Sequence, residues 1–543
     1  MASIRSLGER GRVMLDLLAL SGLGSNWTAQ GLAKALGERR SFPSGPSAFI
    51  HLQALNQPHK EALVDGDLRL TYRQLDESIN RLANALRANG VGPGDRVAVM
   101  MRNSHRQVLA QWSISRAGAI AVHVGYRSKT PEIVHVLRHS EPKVFLYHVE
   151  HEPEVAEAQR LAGFPAPTGM VRAPDGFDAL MARSSATLPP KVPALHAGGG
   201  AMVYTSGTTG KPKGAARGFS SLAKQLPVLD FLRKIGVRSD DRHLVSCPLY
   251  HSAAPAFVAL TLALGGCVVI LEHFDPETAL AAIEKERITS AFMVPTMLGR
   301  MVALPSATRR RYDTLSLRWI VSGAAPLPTE TARRVEQAFG HILFNFYGAT
   351  ETGMVTLAMP SEHTSRPGTI GRKLLGNEIR LLDENGKEVP TGQVGELYAR
   401  NTMLIEGYYR DRDATSRAMR DGFFSVGDMA RVDEDGYYYL ADRKTDMVIS
   451  GGVNIYPREI EEVLHSHPDV LECAVIGVPD PDWGESLRAH VVRRDGTSVT
   501  EEELREHCRH LLSNHKCPKT IEFMDALPRN PTGKVLKRDL RQR

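Results

Sequence analysis

Strand-like and helix-like segments alternate along two long stretches of this 543-residue chain, at about 60–150 and again at about 242–347. In the first stretch, the apolar runs 96–101 and 119–124 have the length of buried strands, and the pattern of 105–117 between them is helical. The second stretch repeats this order. Strands that alternate with helices are typical of α/β proteins with largely parallel sheets. The sequence therefore predicts an α/β fold.

The remainder of the chain has a different pattern. Short strands and turns succeed one another at 377–440, which predicts a small β-rich region. The charged segment 442–446 follows, and about 100 residues after it carry their own helices and strands, as in a small α+β domain. A chain of this length is too long for one core. We expect an N-terminal extension at 1–45, a large domain at 46–442, a hinge at 443–446 and a C-terminal domain at 447–543.

Charge, cysteine content and apolar runs indicate which cellular environment and which binding partners to expect. The formal net charge is +6, and no nucleic-acid-reading motif accompanies it, so we expect no nucleic acid partner. Five cysteines without a C-x-x-C pair favour a reducing, cytoplasmic environment. No apolar run approaches the roughly 20 residues of a transmembrane helix. The basic extension 1–45 is expected to pack on the first domain, with peripheral contact to a membrane as the alternative.

A segment rich in glycine, hydroxyl groups and lysine stands at 204–214. Glycines let backbone N–H groups face an anion, and the other side chains add donors and positive charge. The segment is not the common P-loop, because only two residues separate Gly207 from Gly210 and Pro212 follows Lys211. It predicts binding of ATP phosphates in another architecture.

Six segments resemble, in order and in approximate spacing, the signature motifs of the adenylate-forming superfamily. That superfamily contains acyl-CoA synthetases, luciferases and the adenylation domains of peptide synthetases, and the chain is most like a fatty acyl-CoA synthetase. The segments are the phosphate loop at 204–214, the aromatic-Gly-x-Thr-Glu motif at 347–352, the Thr-Gly-Asp motif at 425–428, the hinge at 442–446, the segment 450–457 and the catalytic-lysine motif at 528–534.

The resemblance implies a fold and a reaction. The fold is a large N-terminal domain of mixed α/β layers with a small β-rich subdomain, followed by a small mobile α+β domain. In the reaction, a carboxylate attacks the α-phosphate of ATP to give an acyl-adenylate and pyrophosphate. The thiol of CoA then gives a thioester and AMP. The ATP-binding residues that it implies are Thr205, Ser206, Gly207, Thr208, Thr209, Gly210, Lys211, Lys213, Gly323, Ala324, Ala325, Tyr347, Gly348, Asp428 and Arg443.

Four residues are implied as catalytic. Lys534 would enter the site on the C-terminal loop and stabilise charge on the α-phosphate and the carboxylate. Glu351 offers a hard oxygen ligand for Mg²⁺, and Thr350 would bind the α-phosphate. His251 matches the family position between nucleotide and acyl pocket, where a gating role and an ordinary structural role are both left open. Asp428 would accept hydrogen bonds from the ribose hydroxyls.

The implied CoA-binding residues follow the hinge. Ser450, Gly451 and Gly452 would let the backbone pass close to a pantetheine arm. Two positions depart from the family pattern. Val426 stands where the family usually has Thr, and Thr445 stands where relatives often have Asp or Lys as the pivot. The second departure leaves the energetics of the hinge open.

The acyl substrate is inferred from the segments that the resemblance implies for its pocket. Small apolar side chains dominate the segments implied to line its pocket, and no charged side chain anchors a polar far end, so we expect a medium- to long-chain fatty acid. An aryl or polycyclic acid is the alternative. Because the chain ends soon after Lys534 without a carrier domain, free CoA is the expected acceptor, with a carrier protein as the alternative. A non-catalytic nucleotide sensor is the alternative from another class, and a homodimer is left open.

Overall fold

The computed structural model describes residues 13, 16–17, 19, 21–22, 27–38, 42–43, 45–163, 170–192, 199–205, 213–218, 226–451, 453–529 and 534–542. These residues form two compact units, each assembled from several parts of the chain. Unit 1 takes its residues from 1–293, 304–320 and 402–415, and unit 2 from 294–303, 321–401 and 416–543. Within the described ranges, no helix is both long and apolar enough to cross a membrane.

The strands of the described residues run through the whole chain. In chain order they are β1 (Glu61–Asp65), β2 (Leu68–Thr71), β3 (Arg96–Met100), β4 (Ile120–His123), β5 (Val144–His148), β6 (Met170–Ala173), β7 (Gly200–Thr205), β8 (Lys213–Gly218), β9 (Arg242–Val245), β10 (Cys267–Ile270), β11 (Ser290–Met293), β12 (Trp319–Ser322), β13 (Leu343–Ala349), β14 (Gly353–Ala358), β15 (Arg372–Lys373), β16 (Glu378–Leu382), β17 (Gly395–Arg400), β18 (Met419–Arg420), β19 (Phe423–Phe424), β20 (Asp428–Val432), β21 (Tyr438–Arg443), β22 (Val448–Ser450), β23 (Val453–Ile455), β24 (Val470–Asp480), β25 (Gly484–Arg493) and β26 (Thr520–Phe523).

The helices lie between these strands. In chain order they are α1 (Ala29–Gly37), α2 (Ser47–Asn56), α3 (Tyr72–Ala88), α4 (His105–Arg116), α5 (Thr130–Ser140), α6 (Glu152–Ala162), α7 (Asp175–Ala182), α8 (Leu226–Ile235), α9 (Ala253–Ala263), α10 (Pro276–Lys285), α11 (Pro295–Ala303), α12 (Ser306–Arg309), α13 (Thr329–Phe339), α14 (Glu362–Ser365), α15 (Arg412–Ala418), α16 (Pro457–Ser466), α17 (Glu501–Leu511) and α18 (Lys537–Arg541).

Unit 1 contains two sets of mainly parallel strands. In one sheet the order is β6, β5, β3, β4, β7 and β8, and all neighbours are parallel except β7 and β8. In the other set, β11, β9, β10 and β1 are parallel neighbours and β2 is antiparallel to β1. Side chains such as Val97, Val122 and Phe145 are buried, because helices cover a parallel sheet. Parallel strands bring their carboxyl ends to one edge, where ligands bind in α/β proteins.

Unit 2 is built mainly from antiparallel strands. Strands β13, β14 and β15 are antiparallel neighbours. The β-rich sheet has the order β18, β19, β17, β20, β21, with β16 beside β17. In the C-terminal part, β24 and β25 form a long antiparallel pair, and β26 lies parallel to β25. Helices α16 and α17 cover this pair with Ile460, Leu464 and Leu504, which are fully buried.

Local sequence signals account for several helix ends. Thr71 and Gln74 form a reciprocal capping box at the start of α3, and Thr500 and Glu503 form another at α17. Each box satisfies two N–H groups that a helix start leaves without partners. Such caps typically contribute about 1 kcal/mol each.

The predicted α/β fold is confirmed, and the predicted elements lie within a few residues of the observed ones. Strand β3 and helix α4 match the apolar run and the helical pattern read from the sequence. The β-rich region and the C-terminal α+β part are also present. The observed strands β24 and β25 are longer than the apolar runs that predicted them. Their backbone pairing continues past those runs as far as Asp480 and Gly484. The domain boundaries at 442 and 447 stay a prediction.

Candidate active site

A buried carboxylate lies at the centre of a polar cluster in unit 2. Asp428 is the first residue of β20 and pairs in register with Arg443, the last residue of β21. The Arg443 Nε atom lies 3.3 Å from Asp428 Oδ1, and Tyr347 Oη donates a hydrogen bond of 2.8 Å to Asp428 Oδ2. Tyr347 and Asp428 are only 8% and 9% exposed. Three residues expected at the nucleotide are thus in direct contact.

The protonation of this cluster follows from its burial. Burial, and then the Asp428 carboxylate, raise the pKa of Tyr347 well above its usual range. The phenol therefore stays a hydrogen-bond donor at neutral pH. Each carboxylate oxygen can accept two hydrogen bonds, so both oxygens of Asp428 keep capacity for further donors. The cluster can accept hydrogen bonds from a pair of hydroxyl groups.

Lys534 lies within electrostatic range of the same residues and is half-buried. Burial and then the Arg443 guanidinium lower the pKa of Lys534 to about 8, while Asp428 and Asp446 act in the opposite direction. The amine is therefore charged at neutral pH and loses its proton as the pH rises through about 8. A partly desolvated cation of this kind interacts strongly with an anion that binds beside it.

Helix α18 follows Lys534 closely, and ion pairs join it to the charged segment 442–446 and to α16. Lys537 Nζ lies 2.8 Å from Glu461 Oε1 and 4.0 Å from Asp442 Oδ2. Arg541 Nη2 donates a hydrogen bond of 3.0 Å to Asp446 Oδ1. Burial lowers the pKa of Lys537, but the two facing carboxylates outweigh it and the pKa lies above its usual range. Both carboxylates of the charged segment 442–446 therefore face the helix that follows the candidate catalytic lysine.

Tight backbone turns stand beside the cluster in unit 2. A Cβ atom on Gly348 would lie 2.0 Å from a carbonyl oxygen of β14, and one on Gly323 would lie 2.6 Å from the Phe346 ring. Ala324, which precedes Ala325, has a φ of 66°, in the left-handed region that alanine rarely adopts. Strain of this kind concentrates where a backbone must meet a ligand.

The turn between β13 and β14 carries Thr350 and Glu351. The backbone N–H of Ala349 donates a hydrogen bond of 3.1 Å to Thr352 Oγ1, which fixes the turn. Glu351 is buried, with 5% exposed. In the described part of the chain, no group of three or more His, Cys, Asp or Glu side chains could hold a metal ion. One buried carboxylate fits Mg²⁺, which proteins commonly hold with one or two carboxylates plus substrate phosphates.

Unit 1 carries the two strands that flank the glycine-rich loop. Thr205 ends β7 and pairs in register with Lys213, the first residue of β8. The Lys213 Nζ atom lies 5.0 Å from the centre of the Tyr408 ring. The other predicted phosphate-binding positions lie outside the described residues: Ser206, Gly207, Thr208, Thr209, Gly210 and Lys211.

Side chains from distant parts of unit 1 hold these flanking strands. A hydrogen bond of 2.9 Å joins Tyr204 Oη to His139 Nδ1 on α5. The backbone N–H of Tyr409 donates a bond of 2.8 Å to the Gly214 carbonyl oxygen. The His139 ring also meets the Tyr409 ring edge to face, with centroids 5.4 Å apart. The ends of both strands are thereby tied to the same cluster, which the sequence analysis missed because its members are far apart in the chain.

His251 lies in the loop after β9, also in unit 1. Its ring centroid is 4.0 Å from that of Tyr250. Burial, together with the nearby His123, lowers the pKa of His251 to about 3. His251 is therefore a neutral imidazole at neutral pH. The sequence analysis named neither Tyr250 nor His123 as a site residue, since only the folded chain brings these rings together.

Strands β22 and β23, which follow the charged segment 442–446, form an exposed hairpin in unit 2. Ser450 ends β22, Gly451 follows with a φ of 56°, and Gly452 lies outside the described residues. A Cβ on Gly451 would lie 2.6 Å from the ring of Trp483, and Gly451 N–H donates a bond of 2.8 Å to the Trp483 carbonyl oxygen. Trp483 is 54% exposed. The left-handed backbone and the ring explain why glycine stands at 451.

Comparison with known proteins places the chain. It matches the AMP-binding enzyme family over residues 50–409 and the AMP-binding enzyme C-terminal domain over residues 459–534. It is 39% identical to a feruloyl-CoA synthase of Amycolatopsis sp over 495 residues, which cover 90% of this chain and 97% of the relative. It is 33% identical over 500 residues to the long-chain-fatty-acid–CoA ligase FadD13 of Mycobacterium tuberculosis, covering 91% and 97%.

A solved structure agrees with these relatives. The crystal structure of the anthranilate CoA ligase AuaEII in complex with anthranoyl-AMP has a TM-score of 0.84 at 27% identity, covering 92% of this chain and 97% of that one. The chain belongs to the AMP-binding enzyme family. It is an adenylate-forming CoA ligase, an AMP-forming acid–thiol ligase, and the resemblance stated from its motifs is confirmed. ATP and CoA are substrates of such ligases.

Proposed function

We propose that this ligase activates an aryl carboxylic acid of the hydroxycinnamate type and transfers it to CoA. The observation that carries the proposal is the 39% identity, over 90% of the chain, to a feruloyl-CoA synthase, compared with 33% to a long-chain-fatty-acid–CoA ligase. The likeness to a ligase solved with anthranoyl-AMP supports an aromatic acyl group. This preference replaces the fatty acid as our first hypothesis.

In the first half-reaction, a carboxylate oxygen of the acid attacks the α-phosphorus of ATP. An oxygen–phosphorus bond forms, the bond from the α-phosphorus to the bridging oxygen breaks, and pyrophosphate leaves with that oxygen. Two anions approach each other, so positive charge and fixed donors are the main requirement. Lys534 supplies the charge, and its lowered pKa reflects a partly desolvated position that favours an anion beside it.

Residues of unit 2 would hold the nucleoside. Asp428 accepts hydrogen bonds from the ribose hydroxyls, and Tyr347 orients that carboxylate through its 2.8 Å hydrogen bond. Arg443 adds positive charge 3.3 Å from the same carboxylate. At Gly323 and Gly348 only glycine fits, because the Phe346 ring and β14 occupy the space of a Cβ atom. Ala324 and Ala325, which follow Gly323, would lie beside the adenine.

Two elements would hold the phosphates. In unit 1, the strand ends at Thr205 and Lys213 and the glycine-rich loop between them would donate hydrogen bonds to phosphate oxygens. In unit 2, Thr350 would donate to the α-phosphate. Glu351 would hold Mg²⁺ with its buried carboxylate. When bound, Mg²⁺ neutralises charge on the phosphates.

In the second half-reaction, the CoA sulfur attacks the carbonyl carbon of the acyl-adenylate. A carbon–sulfur bond forms, the carbon–oxygen bond to the phosphate breaks, AMP leaves, and the thiol proton passes to water. We propose that Ser450, Gly451 and Gly452 approach the pantetheine arm, since the hairpin is exposed around Gly451. His251, a neutral imidazole, would then stand at the acyl group as a hydrogen-bonding gate.

A medium- to long-chain fatty acid is the second candidate. Small apolar side chains on α9, such as Ala253, Ala254 and Ala256, favour it, as does the 33% identity to FadD13. Each buried methylene would contribute about 0.8 kcal/mol, so a chain-length series has a steep expected slope.

The test is product formation from ATP, Mg²⁺ and CoA with matched acids: 4-hydroxy-3-methoxycinnamate, cinnamate, anthranilate, decanoate and palmitate. The proposal expects the highest kcat/KM for a cinnamate, with stoichiometric AMP and thioester. A kcat/KM that rises along the aliphatic series and exceeds every aromatic acid would replace it with the fatty acid. Pyrophosphate release without CoA thioester, in the presence of a carrier protein that is acylated instead, would change the acceptor.

A further inference from the structure

The polar atoms of unit 1 that are buried without a hydrogen-bond partner among the described residues include three from neighbouring rings: Tyr250 Oη, His251 Nε2 and His123 Nδ1. Tyr250 and His123 are 5% and 4% exposed as whole residues. A buried polar atom without a partner costs roughly 1–3 kcal/mol, and a bound ligand that supplies the partner removes that cost. Here three occur in one place.

The rings of this cluster pack against one another. The centroids of Tyr250 and His251 are 4.0 Å apart, and Tyr126 meets Tyr250 edge to face at 5.4 Å. His123 is near enough to His251 to lower its pKa. The three unpartnered atoms therefore belong to one cluster of neighbouring rings and are not isolated atoms in separate parts of the core.

The cluster lies at the ligand-binding edge of both strand sets of unit 1. His123 ends β4, and it pairs with Val203, two residues before Thr205 at the end of the parallel β7. Tyr250 and His251 lie in the loop after β9. Asn103, which follows β3, holds that loop by donating to the Cys247 carbonyl oxygen at 3.0 Å and accepting from the Leu249 N–H at 2.8 Å. Carboxyl ends of parallel strands form the usual binding crevice of α/β proteins.

The charge state of the cluster restricts its ligand. Burial lowers the pKa of His123 to about 4 and that of His251 to about 3. Burial raises the pKa of the Tyr250 phenol above its usual range. All three groups are thus neutral at neutral pH, and each can donate or accept without a formal charge. They match a neutral hydrogen-bonding group better than a carboxylate or a phosphate.

We infer that His123, Tyr250 and His251 form a subsite for a neutral hydrogen-bonding group of a substrate, such as a phenolic hydroxyl on the acid or an amide of the pantetheine arm. The first source rests on the proposed function, since only an acid with a ring substituent offers such a group. The second source does not depend on the identity of the acid. Tyr250 and His123 are specificity residues in this assignment.

Tyr250→Phe is the sharpest variant, because it removes only the unpartnered oxygen. Removing an unsatisfied buried group leaves the fold unharmed, so the free energy of unfolding should stay equal or rise. Trp112→Phe is the matched control. Trp112 Nε1 is likewise buried without a partner among the described atoms, but it lies in the middle of α4, seven residues past the helix start and about 10 Å along the helix from the carboxyl edge.

Two arms of the experiment distinguish a hydroxyl group of the acid from an amide of the pantetheine arm. The first measures the kcat/KM ratio of 4-hydroxy-3-methoxycinnamate to cinnamate in adenylate formation without CoA. The second supplies preformed acyl-adenylate and measures the rate ratio of pantetheine to ethanethiol. Tyr250→Phe should lower one of these ratios about ten-fold. His123→Leu should do the same and His123→Gln should restore part of it, while Trp112→Phe should change neither ratio.

A ten-fold loss in the first arm assigns the subsite to the acid, and a loss confined to the second assigns it to the thiol. Ratios that Tyr250→Phe and His123→Leu leave unchanged in both arms overturn the inference. If no aromatic acid is adenylated, the proposed function fails separately. The first arm then uses 12-hydroxydodecanoate against dodecanoate, and the same ratios decide.

Discussion

Lys534 occupies a position where burial and a neighbouring guanidinium both disfavour its charge. Asp428 and Asp446 offset this only in part, so the pKa is about 8. The positive charge that we propose Lys534 supplies to the first half-reaction is therefore present at neutral pH but is lost within the range in which enzymes are commonly assayed. At the scale of the single residue, this makes Lys534 open to a titration test.

The kcat/KM for adenylate formation should be constant at neutral pH and should decrease as the pH rises through about 8. The rate decreases with rising pH because the protonated ammonium stabilises the anions, and deprotonation removes its positive charge. Pyrophosphate release over a pH series measures the profile. Lys534→Ala should be slow at every pH and lack this alkaline limb, and an identical limb in that variant would contradict the assignment.

Tyr347→Phe should raise the KM for ATP about ten- to hundred-fold, because a hydrogen bond to a charged group contributes roughly 1.5–3 kcal/mol. The variant removes the donor to Asp428 and keeps the ring. Tyr437→Phe is the control, since Tyr437 Oη donates to Glu362 at 2.9 Å in the same unit. Equal KM values for the two variants would show that the Tyr347 hydroxyl does not act through Asp428.

At the scale of elements, β7 and β8 carry the glycine-rich loop, and tertiary contacts hold their ends. The 2.9 Å bond from Tyr204 to His139 anchors β7, and the 2.8 Å bond from Tyr409 to Gly214 anchors β8. A loop rich in glycine loses much conformational freedom when it binds phosphates. Fixed strand ends reduce that loss.

Tyr204→Phe should therefore raise the KM for ATP about five-fold and leave the KM for the acid unchanged, as expected for one neutral hydrogen bond of about 1 kcal/mol. Steady-state kinetics with each substrate varied in turn provide the measurement. Tyr147→Phe is matched, because Tyr147 Oη donates to Glu152 at 3.1 Å in the same sheet. A comparable rise for the acid would show a general loss of structure instead of an effect on the loop.

Helix α18 depends on one buried lysine. Lys537→Met would leave Glu461 and Asp442 without the cation that faces them. Breaking a buried ion pair in this way typically costs about 3–5 kcal/mol. Chemical denaturation should show a loss of this size. Arg538→Met, beside it on the exposed side, should change the free energy of unfolding by less than about 0.5 kcal/mol. An equal loss in the free energy of unfolding for Lys537→Met and Arg538→Met would contradict a stabilising role of the buried ion pair.

At the scale of the whole molecule, the fold followed from local pattern. Alternating apolar runs and helical patterns predicted the strands and helices of unit 1, because burial of both faces of a parallel sheet leaves a continuous apolar signal. The motifs at 347–352 and 425–428 predicted residues that contact each other. The pairs Tyr204–His139 and Lys537–Glu461 could not be predicted, since each joins distant segments with no local signal.

The cluster of His123, Tyr250 and His251 could not be predicted from the sequence either, because His123 is distant in the chain from the other two residues. A histidine at the end of an apolar run has the same sequence signal whether its ring is satisfied or not. Only the burial of the individual atoms distinguishes the two cases. For the glycine-rich loop, the sequence predicts a function although Ser206 to Lys211 lie outside the described residues. Here the motif provides information that the structure does not.

Lys534 is proposed to serve the first half-reaction, and a measurement that separates the two steps in Lys534→Ala tests this role. Pyrophosphate release from ATP and the acid reports adenylation, and thioester formation from preformed acyl-adenylate and CoA reports the second step. Adenylation should fall about 10²- to 10³-fold, as when a single charge-stabilising group is removed, while the thioester step changes only slightly. Equal losses in both steps, or unimpaired adenylation, would contradict the account.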